Sequence, residues 1–375
     1  MFQERMLSPR TLYFGRGDIH FECREELICE SKPSEESGHP HSYYLSLKRT
    51  YLKLIKLDTY PFEEACQRFQ RLWREILESY SQTSLRHEED RLSAIAGIVS
   101  IPQKLLGLRS SYGLWEAFFI DELCWYVADG RRSSERRRSQ FDHLPTWSWL
   151  SLVDSEVVNM EDIPYRSEPL DRLYNAKVTE LPESTPYVQL PKLSAYRSTL
   201  KLKARVIRCR ATKIENSIGR GLWALVPFTL PPREVYGDEE LDEPSAPSKS
   251  TLQKLYDSMS ERRICSFDAD LPDTLNEGQT LHCLLIKRDR MTDRFGTVHV
   301  WDFCLVLHME EGERGVFTRV GAYCEGNSKL DIKEREGKMS YDDADEEDDE
   351  LMEMLVTRRL MFPGEQGEET EVVVR

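Results

Sequence analysis

The sequence lacks the long apolar stretches and leader features of proteins that enter or cross membranes. No stretch approaches the roughly 20 consecutive apolar residues that a membrane-spanning helix needs. The first residues, MFQERMLSPR, contain neither the apolar central region nor the small-residue cleavage site of a signal peptide. We therefore expect a cytoplasmic protein with no membrane partner.

An excess of positive charge is also missing. The net charge is −15, and the run from Asp342 to Glu350 alone supplies eight negative charges. Proteins that bind nucleic acid need surplus Lys and Arg to displace counterions from phosphates. The composition thus predicts no nucleic-acid partner, and we interpret the basic cluster between Arg131 and Arg138 as a solvated loop.

Common catalytic and metal-binding signatures do not occur in the sequence. It has no G-x-S-x-G elbow, no H-E-x-x-H and no phosphate-binding glycine loop. Cys23, Cys29, His39 and His41 carry zinc-type donors, but the cysteines are spaced too widely and the histidines too closely for a structural zinc site. The nine scattered cysteines favour reduced thiols over disulfides. We predict no metal, no cofactor and no complete catalytic constellation.

The sequence does contain recognisable local patterns, beginning with residues 1–30. A helix end stopped by Pro9 is followed by TLYFGRGDIHFECRE, which alternates around a glycine-rich turn like a hairpin. A helix end and one hairpin cannot bury a core by themselves. Either this piece docks on the residues that follow, or its parent domain has been cut away.

A helical block is predicted for residues 43–130. Apolar residues recur at three- and four-residue steps over 62–80, which is typical of an amphipathic helix of about five turns. A second helix is expected over 92–102, where Pro102 ends it, and a third over 114–125.

Residues 140–326 are predicted to be β-rich, because the hydrophobic period changes to two along 200–206 and 301–307. Residues 327–375 are too charged to bury a core, so we expect an acidic, mostly disordered tail. The predicted fold class is α+β.

The stretch LPTWSWLS places Trp147 and Trp149 one residue apart. On an extended segment these side chains point to the same side, and Ser148 faces the other way. Each buried indole removes on the order of 200 Å² from water, enough to hold a sheet against a helical block. We expect such packing; an exposed aromatic platform for a ligand is the alternative.

Several segments, in order, resemble fungal heterokaryon-incompatibility (HET) proteins. FQERMLSPRTLYFGRGDIHFEC is similar to the closing motif of the HET domain, with matches that include Gln3, Glu4, Arg10, Glu22 and Cys23. The region that commonly follows this domain is similar to ESYS at 78–81, DRLSAIAGIV at 90–99, GLW at 113–115, LCWYV at 123–127 and the segment of Trp147, Ser148 and Trp149. RGVFTRVGAY at 314–323 resembles the closing strand of these families.

The resemblance spans about residues 1–325, yet two earlier HET motifs have no counterpart in the sequence. It implies that residues 1–30 are the C-terminal remnant of a TIR-like α/β domain, and some TIR-like domains cleave NAD. The family acts in non-self recognition and programmed cell death, which implies protein partners. Without the earlier motifs, we expect a truncated, non-catalytic binding or regulatory module.

Two other hypotheses remain open. One is an enzyme whose site lies in the β-rich region around His282, His299 and His308. A pocket that combines these side chains with a carboxylate would favour it. The other is a gene remnant that does not fold independently. The sequence does not determine the oligomeric state.

Overall fold

A computed structural model of the protein contains both helices and sheets, which confirms the predicted α+β class. It describes residues 2–15, 17–31, 42–127, 136–159, 171–215, 221–227, 266–292, 298–313, 315–328 and 369–375. None of the helices in these ranges combines the length and the apolarity that a membrane crossing requires.

The N-terminal residues fold as a helix and a small sheet. Their elements are α1 (Phe2–Leu7), β1 (Arg10–Phe14), β2 (Ile19–Cys23) and β3 (Leu27–Cys29). The strands pair antiparallel in the order β1-β2-β3, so the predicted hairpin is confirmed and has a third strand. Met6 is fully buried in the main apolar cluster, so this N-terminal unit (residues 2–31) docks on the residues that follow.

In the described residues, four further α-helices lie between this unit and the large sheet. They are α2 (Ser42–Leu54), α3 (Phe62–Ser81), α4 (Ala96–Leu106) and α5 (Phe119–Glu122). The three- and four-residue spacing of apolar residues correctly predicts α3, which buries Phe69, Trp73 and Ile76. The second helix continues past Pro102 and ends at Gly107, whose φ of 65° lies in the left-handed region that favours glycine.

The helix predicted over 114–125 is wrong at both ends. Residues there are strands: β5 (Leu114–Trp115) pairs with β4 (Ser110–Ser111), and β6 (Trp125–Val127) pairs with β9 (Val157–Asn159). Between them lie one 3-10 turn (Glu116–Phe118) and the short α5. Backbone pairing therefore overrides the helix-like spacing of the apolar residues.

The β-rich region is confirmed. β7 (Arg137–Arg138) pairs with β8 (Leu152–Val153). The large sheet comprises β10 (Asp171–Tyr174), β11 (Lys177–Glu180), β12 (Leu200–Glu215), β13 (Gly221–Pro227), β14 (Ser266–Ala269), β15 (Thr280–Thr292), β16 (Val298–Met309), β17 (Val316–Ser328) and β18 (Glu369–Val374).

Six strands of this sheet close into a barrel. Around the ring, β12 pairs with β13, β13 with β14, β14 with β17, β17 with β16, β16 with β15, and β15 with β12, all antiparallel. Alternate side chains fill the interior, as the geometry of a small barrel requires. This interior cluster includes Leu281, Cys283 and Leu285 of β15 and Cys304 and Val306 of β16.

The intervening side chains of the same strands face the helices. Leu284 and Ile286 of β15, together with Leu305 and Leu307 of β16, belong to a second and larger buried cluster. Trp73 of α3 lies in that cluster too. The helices and one side of the barrel therefore share a core.

The last residues contradict the expectation that the acidic, mostly disordered tail buries no core, and residues 329–368 of that tail lie outside the described residues. Strand β18 pairs antiparallel with β12 and parallel with the start of β17, and Val372 and Val374 are fully buried. The prediction failed because it judged the whole tail by its acidic run, which lies outside the described residues. The final ETEVVV is short, but its alternate valines fit the apolar face of a strand.

Candidate functional site

The WSW segment, defined as Trp147, Ser148 and Trp149, is a turn that continues into a 3-10 helix. Both indoles are fully buried, as predicted, but the predicted extended conformation is wrong. Ser148 is buried too, because its Oγ donates to the Tyr112 carbonyl at 2.6 Å and accepts from Leu150 N at 3.1 Å. The hydroxyl thereby caps the short helix.

The two indoles contact different parts of the molecule. Trp147 packs edge-on against Tyr112 and Phe119, and its Nε1 donates to the Ser198 carbonyl at 3.1 Å. It therefore connects the α5 region to the residue stretch that enters β12. Buried indole N–H groups need such acceptors, because an unpaired buried donor is costly.

Trp149 faces α3 and the loop after it. Its ring lies edge-on to Tyr80, with centroids 6.3 Å apart, and 5.2 Å from the Arg91 guanidinium. Its Nε1 donates to the Gly113 carbonyl at 3.2 Å. A Cβ at Gly113 would lie 3.0 Å from the indole, and the residue has a φ of 85°, so both packing and backbone require glycine there.

Arg319 joins the helical side of this junction to the barrel. Its fully buried guanidinium donates to the Leu123 carbonyl at 3.0 Å and to Asp270 Oδ2 at 3.2 Å, and lies 3.4 Å from the centre of the Trp125 ring. Its backbone N donates to Thr146 Oγ1 at 2.9 Å, next to the WSW segment. Every one of these contacts is structural.

The N-terminal motif residues divide into buried and exposed groups. Gln3 Oε1 accepts from Gly97 N at 2.7 Å, which fixes α1 to the start of α4. Glu22 is fully buried and accepts two hydrogen bonds from Arg5, at 3.0 and 3.1 Å, and one from the Tyr13 hydroxyl. Burial, reinforced by Glu22, raises the pKa of Tyr13 to about 12, so the phenol stays protonated and donates.

The exposed group lies on β1, at the edge of the small sheet. Along this strand Arg10, Leu12 and Phe14 face solvent, and Leu12 and Phe14 are 52% and 76% exposed. Glu4 is exposed on α1, and Cys23 is half-buried. The motif thus combines an anchored side with an accessible apolar strand edge.

Of the histidines named in the enzyme hypothesis, His282 and His308 have described side chains, and these two are not joined by a carboxylate in the contacts of His282. The ring of His282 lies edge-on to Phe317 with centroids 5.0 Å apart. Burial lowers the pKa of His282, and Arg208 and His308 lower it further. These neighbours are basic side chains, whereas a general base would need a carboxylate beside the imidazole. The side chain of His299 lies outside the described residues.

Two adjacent carboxylates on α5 are strongly perturbed. Asp121 accepts from Lys287 Nζ at 2.8 Å and from the Tyr174 hydroxyl at 3.0 Å. Burial opposes the ionisation of Asp121, but Lys287 and Arg172 outweigh it and lower its pKa. Burial raises the pKa of Glu122 to about 8. Perturbed carboxyl groups often mark catalytic sites, but these two are buried, 4% and 5% exposed, and their contacts are with other core residues.

A pocket of about 120 Å³ opens beside α3 and β8, with charged lining residues Arg86, Glu88, Arg91, Arg137 and Asp154. Arg137 pairs with Glu88 at 3.0 Å, and Arg91 donates to the Leu150 carbonyl at 3.0 Å. Pockets for drug-sized or cofactor ligands usually measure about 300–1,000 Å³. This one is too small for a dinucleotide.

A different cluster of reactive side chains lies on the small sheet. Single donor atoms of Asp18, His20 and Cys29 all lie within 4.8 Å of one another. Of the four zinc-type donors considered from the sequence, only Cys29 belongs to this group; His39 and His41 lie outside the described residues. Cys23 Sγ instead accepts from the backbone N–H groups of a turn. Sequence spacing missed Asp18 and His20 because the cluster depends on strand register.

Chemically, the described residues thus offer a buried structural junction, an exposed apolar strand edge and one compact group of metal-type donors. The WSW segment and the buried motif residues connect elements, and the strand edge and the donor group are accessible. Functional inference rests on these contacts. No protein-family model matches the chain, and no curated protein and no solved structure matches it.

Proposed function

We propose that this chain is a cytoplasmic binding or regulatory module of the HET type, linked to fungal self/non-self recognition and cell death. The resemblance of its ordered motifs to HET proteins supplies the biological setting. Its structural support is that the buried motif residues connect helices, strands and loops, and do not line a pocket where a reaction could occur. In this proposal the module binds a protein partner and does not cleave NAD.

The observation that carries the proposal is the division within the N-terminal motif. Gln3 fixes the N-terminal unit to α4 and Glu22 holds α1 to the small sheet within that unit, whereas Leu12 and Phe14 of the same motif are exposed on β1. Large exposed apolar side chains on an edge strand are a common means of pairing with another chain. We infer that the outward side of β1, with Arg10 at its start, contacts the partner.

The test uses the full chain, expressed in a filamentous fungus that shows incompatibility on hyphal fusion. Expressed alone, the chain is expected to leave the host alive, and the purified protein should not consume NAD. During fusion of incompatible strains, the expressed chain should change the frequency of cell death by competing for or recruiting the partner.

Surface variants test whether a change in the frequency of cell death comes from partner binding or only from high expression of the chain. Leu12→Ser combined with Phe14→Ser should abolish the effect without lowering the thermal midpoint, because both side chains are already exposed. Phe62→Ser is the matched control, since Phe62 is 65% exposed on α3, and it should retain the effect. An unchanged death frequency in all strain pairs, equal effects of both variants, or NAD turnover that disappears in Glu4→Ala would each refute the proposal.

A further inference from the structure

We propose that Asp18, His20 and Cys29 form a binding site for one zinc ion. Strand geometry brings the three residues together. Asp18 directly precedes β2 and is two residues from His20, so their side chains share a face of the strand. His20 pairs in register with Cys29 on β3, which places the thiol on that face as well.

The donor atoms converge as metal ligands do. Each residue contributes one atom, and these atoms lie within 4.8 Å of one another, with Cys29 Sγ 2.6 Å from Asp18 Oδ2. Zinc bonds of about 2.0–2.3 Å to oxygen, nitrogen and sulfur place neighbouring ligand atoms about 3–4 Å apart. Small side-chain adjustments are therefore sufficient for all three to reach one ion.

Neighbouring groups orient the carboxylate. Asp18 Oδ1 accepts from Ile19 N at 2.9 Å and from Ser31 N at 3.2 Å, and the Ser31 hydroxyl donates to Oδ2. Outer hydrogen bonds of this kind hold metal ligands in place and contribute to affinity. Because Ser31 lies two residues after the end of β3, the same contacts hold the two strands in register around the site.

The chemistry of the donors selects the ion. Thiolate and imidazole suit zinc and other thiophilic divalent ions, whereas magnesium and calcium prefer oxygen ligands. Three protein ligands leave one tetrahedral position for water or an incoming group. On binding, the Cys29 thiol loses its proton to solvent and its sulfur–hydrogen contact with Asp18 is replaced by bonds from both side chains to the metal.

Asp18 and His20 are half-buried, and Cys29 is 8% exposed, so an ion can reach the group from solvent. The site is separate from the exposed side chains of Leu12 and Phe14, and the inference does not depend on the proposed partner binding. A hydrogen-bonded Asp–Cys–Ser group without metal affinity is the competing outcome of the test.

The experiment titrates the purified, metal-free full chain with Co²⁺ and then displaces it with Zn²⁺. We expect one equivalent to bind, with a thiolate-to-cobalt charge-transfer band and visible bands of tetrahedral intensity. Zinc affinity is measured by competition with a chromophoric chelator. Cys29→Ser and His20→Ala should each weaken zinc at least about tenfold, since even changes outside the first shell cost 10- to 100-fold. Cys29→Ser should also abolish the charge-transfer band.

Matched controls lie nearby. Cys23→Ser removes a thiol on the same sheet that points away from the group, and His87→Ala removes a histidine that is largely exposed elsewhere; both should bind like the native chain. Circular dichroism establishes that each variant folds, and zinc should protect only Cys29 from alkylation, as read by peptide mass spectrometry. Absence of stoichiometric binding to the folded native chain, a charge-transfer band that persists in Cys29→Ser, or one that is lost in Cys23→Ser would overturn the site.

Discussion

The two ends of the chain are attached to the molecule in different ways. The N-terminal unit is held by one fully buried side chain, Met6, and by polar contacts: Gln3 to Gly97, and Lys48 Nζ to the Ser8 carbonyl at 2.8 Å. Strand β18 is held by backbone pairing along β12 and by two fully buried valines. The N-terminal unit exposes apolar side chains on β1, whereas the apolar side chains of β18 are buried.

This difference shows that the composition of a terminal segment is a poor predictor of how it packs on the rest of the molecule. The N-terminal unit has the better secondary-structure pattern, yet it forms a separate small sheet at the surface. The C-terminal strand follows a strongly acidic run, yet it completes the central sheet because β12 offers it an unpaired edge of apolar residues, Leu200, Leu202 and Ala204. An available partner strand thus decides where a short segment packs.

The largest expected effect comes from breaking the C-terminal attachment. Val372→Ala with Val374→Ala should lower the free energy of unfolding by about 3–6 kcal/mol, because two fully buried side chains lose apolar area and leave cavities. Chemical denaturation followed by circular dichroism measures it. Glu371→Ala, at the exposed position just before Val372 on the same strand, should change little. An unchanged midpoint for the double variant would show that β18 does not pack as described.

The core around the WSW segment should be nearly as sensitive. Trp147→Ala is expected to cost about 3–5 kcal/mol, the usual range for deleting a core aromatic residue. The same denaturation experiment applies. In a variant that retains only the indoles of Trp147 and Trp149, the emission should be blue-shifted and poorly quenched by iodide. Red-shifted, readily quenched emission would contradict their burial.

Glu122, in the core between the two ends, should make the free energy of unfolding depend on pH. Variants at either end should leave this dependence unchanged. The unfolded chain ionises Glu122 near 4.5, whereas the folded chain keeps its proton up to a pKa of about 8. Between these values the folded state binds more protons, so its stability falls as pH rises, by up to about 1.4 kcal/mol per pH unit, and levels off above pH 8.

Glu122→Gln should remove this slope and be more stabilising, relative to the native chain, at pH 8 than at pH 5. Denaturant midpoints measured across that range test it. The valine and N-terminal variants should keep the native slope. A slope that persists in Glu122→Gln would assign the pH dependence to another group.

The smallest expected effect comes from loosening the N-terminal unit. Arg5→Met leaves the buried Glu22 carboxylate with fewer donors, which should cost about 1–3 kcal/mol locally. Hydrogen exchange read by mass spectrometry should show faster exchange in residues 2–31 while residues 369–375 keep their protection. Arg10→Met, an exposed control, should exchange like the native chain. Equal loss of protection at both ends would mean that they unfold as one unit.

The sequence predicted elements whose stability comes from local pattern. The spacing along α3 and the alternation along β12 and β16 are strong because one face of each element enters a core. By contrast, α2 lies within the predicted helical block but was not predicted as a separate helix, and it fully buries a lysine, Lys48, that donates to the Ser8 carbonyl and the Thr11 hydroxyl. No periodicity of apolar residues indicates a buried cation.

The candidate sites depended on contacts between distant residues. The burial of Trp147 and Trp149 could be predicted from their cost in water, but their turn conformation follows from acceptors at Gly113 and Ser198, far from them in sequence. The group of Asp18, His20 and Cys29 required the register of β2 on β3. The anchoring partners of Gln3 and Glu22 likewise came only from the fold.

The pairing of β18 with β12 affects folding during translation. Leu200 on β12 pairs with Val374 on β18. During translation, Leu200 therefore leaves the ribosomal exit tunnel long before Val374 is synthesised. During that interval the apolar edge of β12 is open to other chains, which is a known cause of aggregation. Pairing over such separations in sequence is also slow. We therefore expect the nascent chain to need chaperone protection until its final strand emerges.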